Sequence, residues 1–303
     1  MEIINSAYTK KVNRRLKDGD NERVAKNIPL YPMGAERELA RVTTKYAISM
    51  IKFMKPYIKQ IMSMYKVATR NDSRFDDYES FRDKLATKII EMSDDFYDEA
   101  SGWQISKLIE RCGNIAKSNS INDWVKLVKE TIGYAPSKEF YDDLLEDSVK
   151  MWTEENVNYI TSLPSELLSK VQEIVLWGYE TKQPLVNVYV RLEKQLGITK
   201  SQARMIARDQ IGTLNSRVTR FEHESMGCSK YVWKSKHDER VRECHRELDG
   251  TIQSWNNPPL MWYMTLSGKR YTGRACHPGE DYGCRCVAIP VFDVNKAVEK
   301  MKS

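Results

Sequence analysis

From Ala35 to about Arg70, apolar residues recur mostly at steps of three and four: Leu39, Val42, Tyr46, Ile48, Ile51, Met54, Ile58, Ile61 and Tyr65. That spacing predicts an amphipathic helix with one face against a core. Pro56 lies inside the run; it has no N–H to donate, so a kink or a split is expected there. A second helix is predicted after Asn71-Asp72-Ser73, through Phe81, Leu85, Ile89 and Met92 toward Tyr97, and further helical patterns cover about 103–117, 121–132 and 138–160. Leu163-Pro164-Ser165-Glu166 reads as a fresh start, with proline in the first turn and Leu167, Val171, Ile174 and Val175 after it. A helix over about 184–195 should stop at Gly197. Thr199-Lys200-Ser201-Gln202 then has the form of a capping box for the next helix. The stripe Ala203, Ala207, Ile211, Leu214, Val218 and Phe221 runs to Gly227, a residue that takes a left-handed cap without strain.

Beyond Gly227 the period changes. Tyr231-Val232-Trp233 predicts a short strand, Asp249-Gly250 a tight turn, and Cys286 to Val291 a final strand. Val294 to Ser303 has the character of a short helix or frayed tail. The pattern as a whole is α+β: a mainly α-helical N-terminal region over residues 1–150, suited to docking or assembly, and a small α+β C-terminal module over 151–303 that a Cys/His cluster would stabilise. The long helices of mixed charge suggest an elongated bundle rather than an enzyme core.

Composition narrows the class. The 303 residues are 41% hydrophobic and 30% charged, with no apolar run near membrane-spanning length. The N-terminus lacks the apolar segment of an export signal, so neither a membrane nor an export route is expected. The net charge of +6 comes from 48 basic and 42 acidic residues spread along the chain, which reads as mixed solvated faces rather than a phosphate-binding stripe. The best local candidate for a nucleic-acid surface is the N-terminal arm, with Lys10, Lys11, Arg14, Arg15, Lys17, Arg23 and Lys26 against Glu2, Asp18, Asp20 and Glu22, although such an arm is more often a disordered or partner-docking tail.

Chemistry concentrates in one place. Of the six cysteines, Cys228, Cys244, Cys276, Cys284 and Cys286 fall within Cys228–Cys286, together with His237, His245 and His277 of the four histidines. A secreted disulfide framework does not fit a chain of this kind. A tetrahedral metal ion needs four thiolate or imidazole donors, and His245, His277, Cys284 and Cys286 form the set that fits. Adjacent side chains such as Cys244 and His245 diverge, whereas Cys284 and Cys286 share a strand face. The spacing matches no paired-knuckle zinc signature, so three readings stay open: zinc, buried thiols and hydrogen-bonded histidines pinning loops, and a Cys244–Cys276 disulfide. Catalytic readings are weaker. A His/Asn/His nuclease built from His245, Asn256, Asn257 and His277 would need a ββα frame, and the stretch around His277 is rich in proline and glycine. No phosphate-loop, dinucleotide, HExxH or GxSxG string occurs, and no enzymatic activity is expected. Asp238, Arg240 and Arg242 are either an exposed ion-pair ladder or a clamp on carboxylates at the Asp249-Gly250 turn or the Glu280-Asp281 loop. Trp233, Trp255 and Trp262 read as fillers of a small core rather than platforms for bases.

Several of these motifs, in order, carry a resemblance: Trp152 to Asn156, Leu163-Pro164, Ile206 to Gln210 with Asn215, Tyr231 to Trp233, Asp238 to Arg242, His245 with Leu248-Asp249-Gly250, Pro258-Pro259, and His277 to Cys286. Over about residues 150–292 the chain resembles the phage head morphogenesis family, the Mu F-like minor capsid proteins. Cys244 and Cys276 depart from the shared pattern and leave the ligand set open. The resemblance implies a non-enzymatic minor capsid protein of a tailed phage or prophage, located in the capsid interior or at the portal vertex of the virion, and in the host cytoplasm during assembly. Its implied partners are the portal protein and the major capsid or scaffolding protein, with packaged double-stranded DNA as a further candidate and roles in packaging or ejection to be tested. The alternative is a metal-dependent nuclease or other effector carried with the particle.

Overall fold

The computed structural model describes residues 21–70, 78–133 and 135–302. The periodic stretches form five long helices: α1 (Met33–Arg70), α2 (Tyr78–Ser101), α3 (Ile105–Ile132), α4 (Lys138–Glu180) and α5 (Leu185–Ser225). Most of the N-terminal arm, and the Asn71-Asp72-Ser73 start, lie outside the described residues.

Three predicted breaks are not breaks. Pro56 sits inside α1 on the solvent side, while Met54 and Ile58 to either side are buried. Its unpaired carbonyl partner therefore faces water, and the helix continues. Pro164 is interior to α4 rather than at a helix start. Interior proline costs roughly 3 kcal/mol, but Ile160, Leu163, Leu167 and Leu168 around it are all buried, each contributing about 1.5–3 kcal/mol. Packing wins. Gly197 and Thr199 lie within α5, and the Thr199 hydroxyl donates back to the Gln195 carbonyl (3.1 Å) instead of capping a new helix. Likewise the two patterns over 103–132 merge into α3. The Gly227 stop is as expected: its φ is +72°, and the Cys228 amide returns to the His223 carbonyl (2.9 Å).

The strands β1 (Glu22–Val24), β2 (Lys230–Lys234), β3 (Ile252–Ser254) and β6 (Val287–Asp293) form an antiparallel sheet in the order β1-β6-β2-β3, with Val232 opposite Ile289 and Trp233 opposite Ala288. β6 is buried from Val287 to Phe292, as a continuous apolar run requires when both faces are covered. A hairpin of β4 (Leu260–Thr265) and β5 (Gly268–Ala275) forms a second, two-stranded sheet. The short helix α6 (Glu243–Leu248) lies between β2 and β3, and α7 (Val294–Lys302) ends the chain. β1 has too little pattern to be predicted, since Val24 alone of its three residues is buried. It absorbs Arg23, which the sequence assigns to a docking tail.

By contacts the chain divides into two units. One comprises the described residues of Met1–Glu38, Glu110–Thr153 and Arg208–Ser303; the other comprises Leu39–Ile109 and Glu154–Ala207. The second is helical. In it, Phe81 stacks on Tyr179 at 4.3 Å, and a Cβ on Gly178 would meet Val188 at 2.5 Å, so α4 and α5 need glycine where they touch. The first unit contains both sheets and all the chemistry described below. Among the described residues no helix is long and apolar enough to cross a membrane.

Candidate metal centre

Two short segments bring donors together. α6 buries Cys244 and His245 on its inner side, and the chain entering β6 buries Cys284 and Cys286. The imidazole Nδ1 of His245 lies 3.7 Å from Cys284 Sγ and 3.6 Å from Cys286 Sγ. The donor atoms of all three residues fall within 4.8 Å of one another. For zinc bonds of about 2.3 Å to sulfur and 2.0–2.1 Å to nitrogen, a tetrahedral angle gives an N···S edge of about 3.6 Å. The observed separations are those of ligands around an ion, so His245, Cys284 and Cys286 could hold a metal.

The surroundings set the protonation. Asp281, 4% exposed, places Oδ2 3.3 Å from His245 Nε2 and 3.1 Å from Arg242 Nη1, while Oδ1 accepts from Arg274. Burial alone would raise the Asp281 carboxyl; His245 and the two arginines outweigh it and hold it below its ordinary value. The carboxylate lies at ion-pair distance from Nε2, which accepts or donates no hydrogen bond among the described residues, while Nδ1 faces the sulfurs; this is the second-shell arrangement found around metal-bound histidine. Cys284 Sγ also accepts the amides of Gly279 and Cys286, each at 3.4 Å. The hydrogen bond from the Cys286 thiol, then His245, pulls the Cys284 thiol well down, and Cys286 is pushed up in return. Burial works to lower His245, but Asp281 and Cys284 raise it to about 9. A thiolate beside an imidazolium is the state in which protons stand where a metal would bind, and metal binding would release them.

The loop carrying Cys284 is pressed against α5. A Cβ on Gly212 would come within 2.6 Å of the Gly279 carbonyl oxygen, and one on Gly279 within 2.6 Å of the Gly212 oxygen. The Gly283 amide donates to Asp209. From the other side, Arg285 clamps Glu36 through Nε (3.0 Å) and Nη2 (2.5 Å).

His277 is placed elsewhere. Its Nδ1 meets the Tyr231 hydroxyl at 2.9 Å and its ring lies 4.8 Å from Trp255, in an aromatic nest. The four residues singled out from sequence therefore reduce to three around one point. All six cysteines are free thiols, so the Cys244–Cys276 pairing is not formed; both instead pack in a buried cluster with Trp233, Trp255 and Trp262, the small tryptophan core expected. Arg242 is a clamp, bonding Asp281 and the Tyr282 carbonyl (2.6 Å), while Arg240 stays exposed and Asp238 turns its carboxylate onto the Arg240 amide (3.0 Å). Asp249 accepts from the Ser235 amide (2.7 Å) and lies 3.0 Å from His237 Nε2; Gly250, at φ +76°, donates to the Trp233 carbonyl (2.8 Å). The role of Asp281 as the orienting group for His245 was not found from sequence; the motif shows a carboxylate near cysteine but not which ring it faces.

Residues 183–289, which include all three candidate ligands, match the family model described as phage Mu protein F like protein. The match takes in the motifs from Ile206 to Cys286 that carried the resemblance, while Trp152 to Asn156 and Leu163-Pro164 lie outside it. A stretch of 154 residues is 36% identical to a Haemophilus influenzae (strain KW20 / Rd) protein described as uncharacterized; the alignment covers 51% of this chain and 32% of the relative, so the chain spans about a third of that protein's length. No solved structure matches the chain.

Proposed function

We propose that this protein serves head morphogenesis in a tailed phage or prophage, as a minor capsid component without enzymatic activity that associates with the portal and the capsid interior. The observation that carries this is the Mu F-like match over 183–289. That match coincides with the only group of metal-ligating side chains found among the described residues. In this reading the centre binds zinc and acts as a staple: one ion ties α6 to the start of β6, two segments about forty residues apart in the chain. Docking is tested by co-sedimentation with purified portal oligomers and by immunodetection in purified heads. Failure of both would remove the assembly role. Zinc is tested by elemental analysis, with about one equivalent expected and lost in Cys284→Ser.

One observation favours a second reading. Three protein donors rather than four is the count used by catalytic zinc, which suits a metal-dependent nuclease carried with the particle. Nicking of plasmid DNA that disappears in His245→Ala would decide for it.

A further inference from the structure

Zinc held as proposed above would have three protein ligands, which would leave the fourth position to another group. All six cysteines and all four histidines lie among the described residues, yet only His245, Cys284 and Cys286 converge. Cys276 packs in the buried tryptophan cluster and is not among the converging donors. A cavity of about 40 Å³ opens against all three ligand residues. A water needs roughly 10–15 Å³, so the space admits a water or the tip of a small anion but not a nucleotide.

The lining of that cavity is cationic. Arg208 and Arg285 share the Glu36 carboxylate, and Arg242 pairs with Asp281. Lys236 and Arg240 also line it, both exposed and with no carboxylate paired to either among the described residues, against Asp238 alone. The inner wall, with a dication bound by two thiolates and a neutral imidazole, carries no net charge. An anion entering would meet an open coordination site below and two cations above.

We propose that the metal centre keeps an exchangeable fourth position facing this cavity, occupied by water that a small carboxylate displaces, with Arg240 holding the incoming anion. The proposal rests on the metal reading above. In the exchange one metal–oxygen bond to water breaks and one to carboxylate forms, with no redox change. Acetate is the simplest probe of such a carboxylate.

The test uses the full chain loaded with Co²⁺, whose visible bands report coordination and whose near-ultraviolet thiolate charge-transfer band reports the cysteines. Acetate is titrated at constant ionic strength against perchlorate. The expected result is a saturable shift of the visible bands with the charge-transfer band retained, a half-saturation concentration several-fold higher in Arg240→Ala, and an unchanged spectrum in Cys276→Ser. Visible bands that acetate does not move, an identical titration in Arg240→Ala, or a spectrum altered by Cys276→Ser would each overturn the open position while leaving the metal in place. A protein showing no charge-transfer band would remove the metal reading itself.

Discussion

Asp281 lies 3.3 Å from Nε2 of His245 and thereby turns the opposite ring nitrogen toward Cys284 and Cys286. The carboxylate is not among the three donors that would hold an ion, yet it would govern whether the histidine offers a lone pair at the right atom. Asp281→Asn keeps the volume and removes the charge. Second-shell losses of this kind weaken metal binding about 10- to 100-fold, and competition with a chromophoric chelator should find a drop in that range. Because Asp281 also pairs with Arg274, Arg274→Gln is the control: it breaks an ion pair at a 39% exposed arginine without touching the imidazole. Equal affinity loss in both variants would mean that Asp281 acts only by holding the loop.

Glycine at 212 and 279 is a packing requirement, and the two sites are not equivalent. Gly212→Ala forces a methyl against a backbone carbonyl at 2.6 Å, where neither partner can yield cheaply; overpacking of this kind costs about 1–3 kcal/mol. Gly279→Ala meets the same contact and adds a φ of +94°, so its loss should be larger by a further ~1 kcal/mol or more. Gly197, a helical position with nothing within 4 Å, provides the opposite sign: Gly197→Ala should stabilise by about 1 kcal/mol. Urea unfolding of the three variants tests the ordering, and a stable Gly212→Ala would mean that the loop does not rest on α5.

What the sequence made legible was local. The Gly227 cap, the Tyr231–Trp233 strand, the final strand and the Asp249-Gly250 turn are each set by a few neighbouring residues, and each is present. The errors came where a local stop signal met tertiary packing: Pro164 inside buried leucines, and Thr199 bonding backward within α5. The donors Cys284 and Cys286, two apart in the segment that leads into β6, share a site, as their spacing indicated. The third donor lies 39 residues upstream of Cys284, and at that separation spacing cannot choose between His245 and His277. The hairpin β4–β5 was missed because its outward residues are exposed and aromatic, as Tyr263 and Tyr271 are, which blurs the alternation.

The staple role makes a separate claim about energy. If zinc joins α6 to β6 only in the folded state, stability must rise with free metal as RT ln(1 + [Zn]/Kd), about 2.7 kcal/mol at a hundredfold excess over Kd. Thermal unfolding after chelation and after stepwise readdition should trace that logarithm, and His245→Ala should be insensitive to zinc throughout. A melting temperature independent of zinc in the parent would mean that the centre, even if occupied, does not hold the module together.

Away from the metal, Glu222 should govern part of the pH dependence of stability. It is fully buried in α5; Ser120 donates to its Oε2 at 3.1 Å, and Oε1 has no hydrogen-bond partner among the described residues. Burial raises its carboxyl from the ordinary 4.5 to about 8, against the lowering effect of Ser120. Between those values the unfolded chain gives up the proton while the folded one keeps it, so the folded state binds more protons and its stability falls as pH rises. The slope is on the order of 1 kcal/mol per pH unit for one such group. Below pH 4.5 both states are protonated and the penalty is absent; above about 8 it is complete. Glu222→Gln mimics the protonated form and should be flatter across this window, gaining on the parent from pH 5 to pH 8. Chemical denaturation at the two pH values reads the difference directly, and parallel curves for parent and variant would show that Glu222 ionises in the folded protein as it does in the open chain.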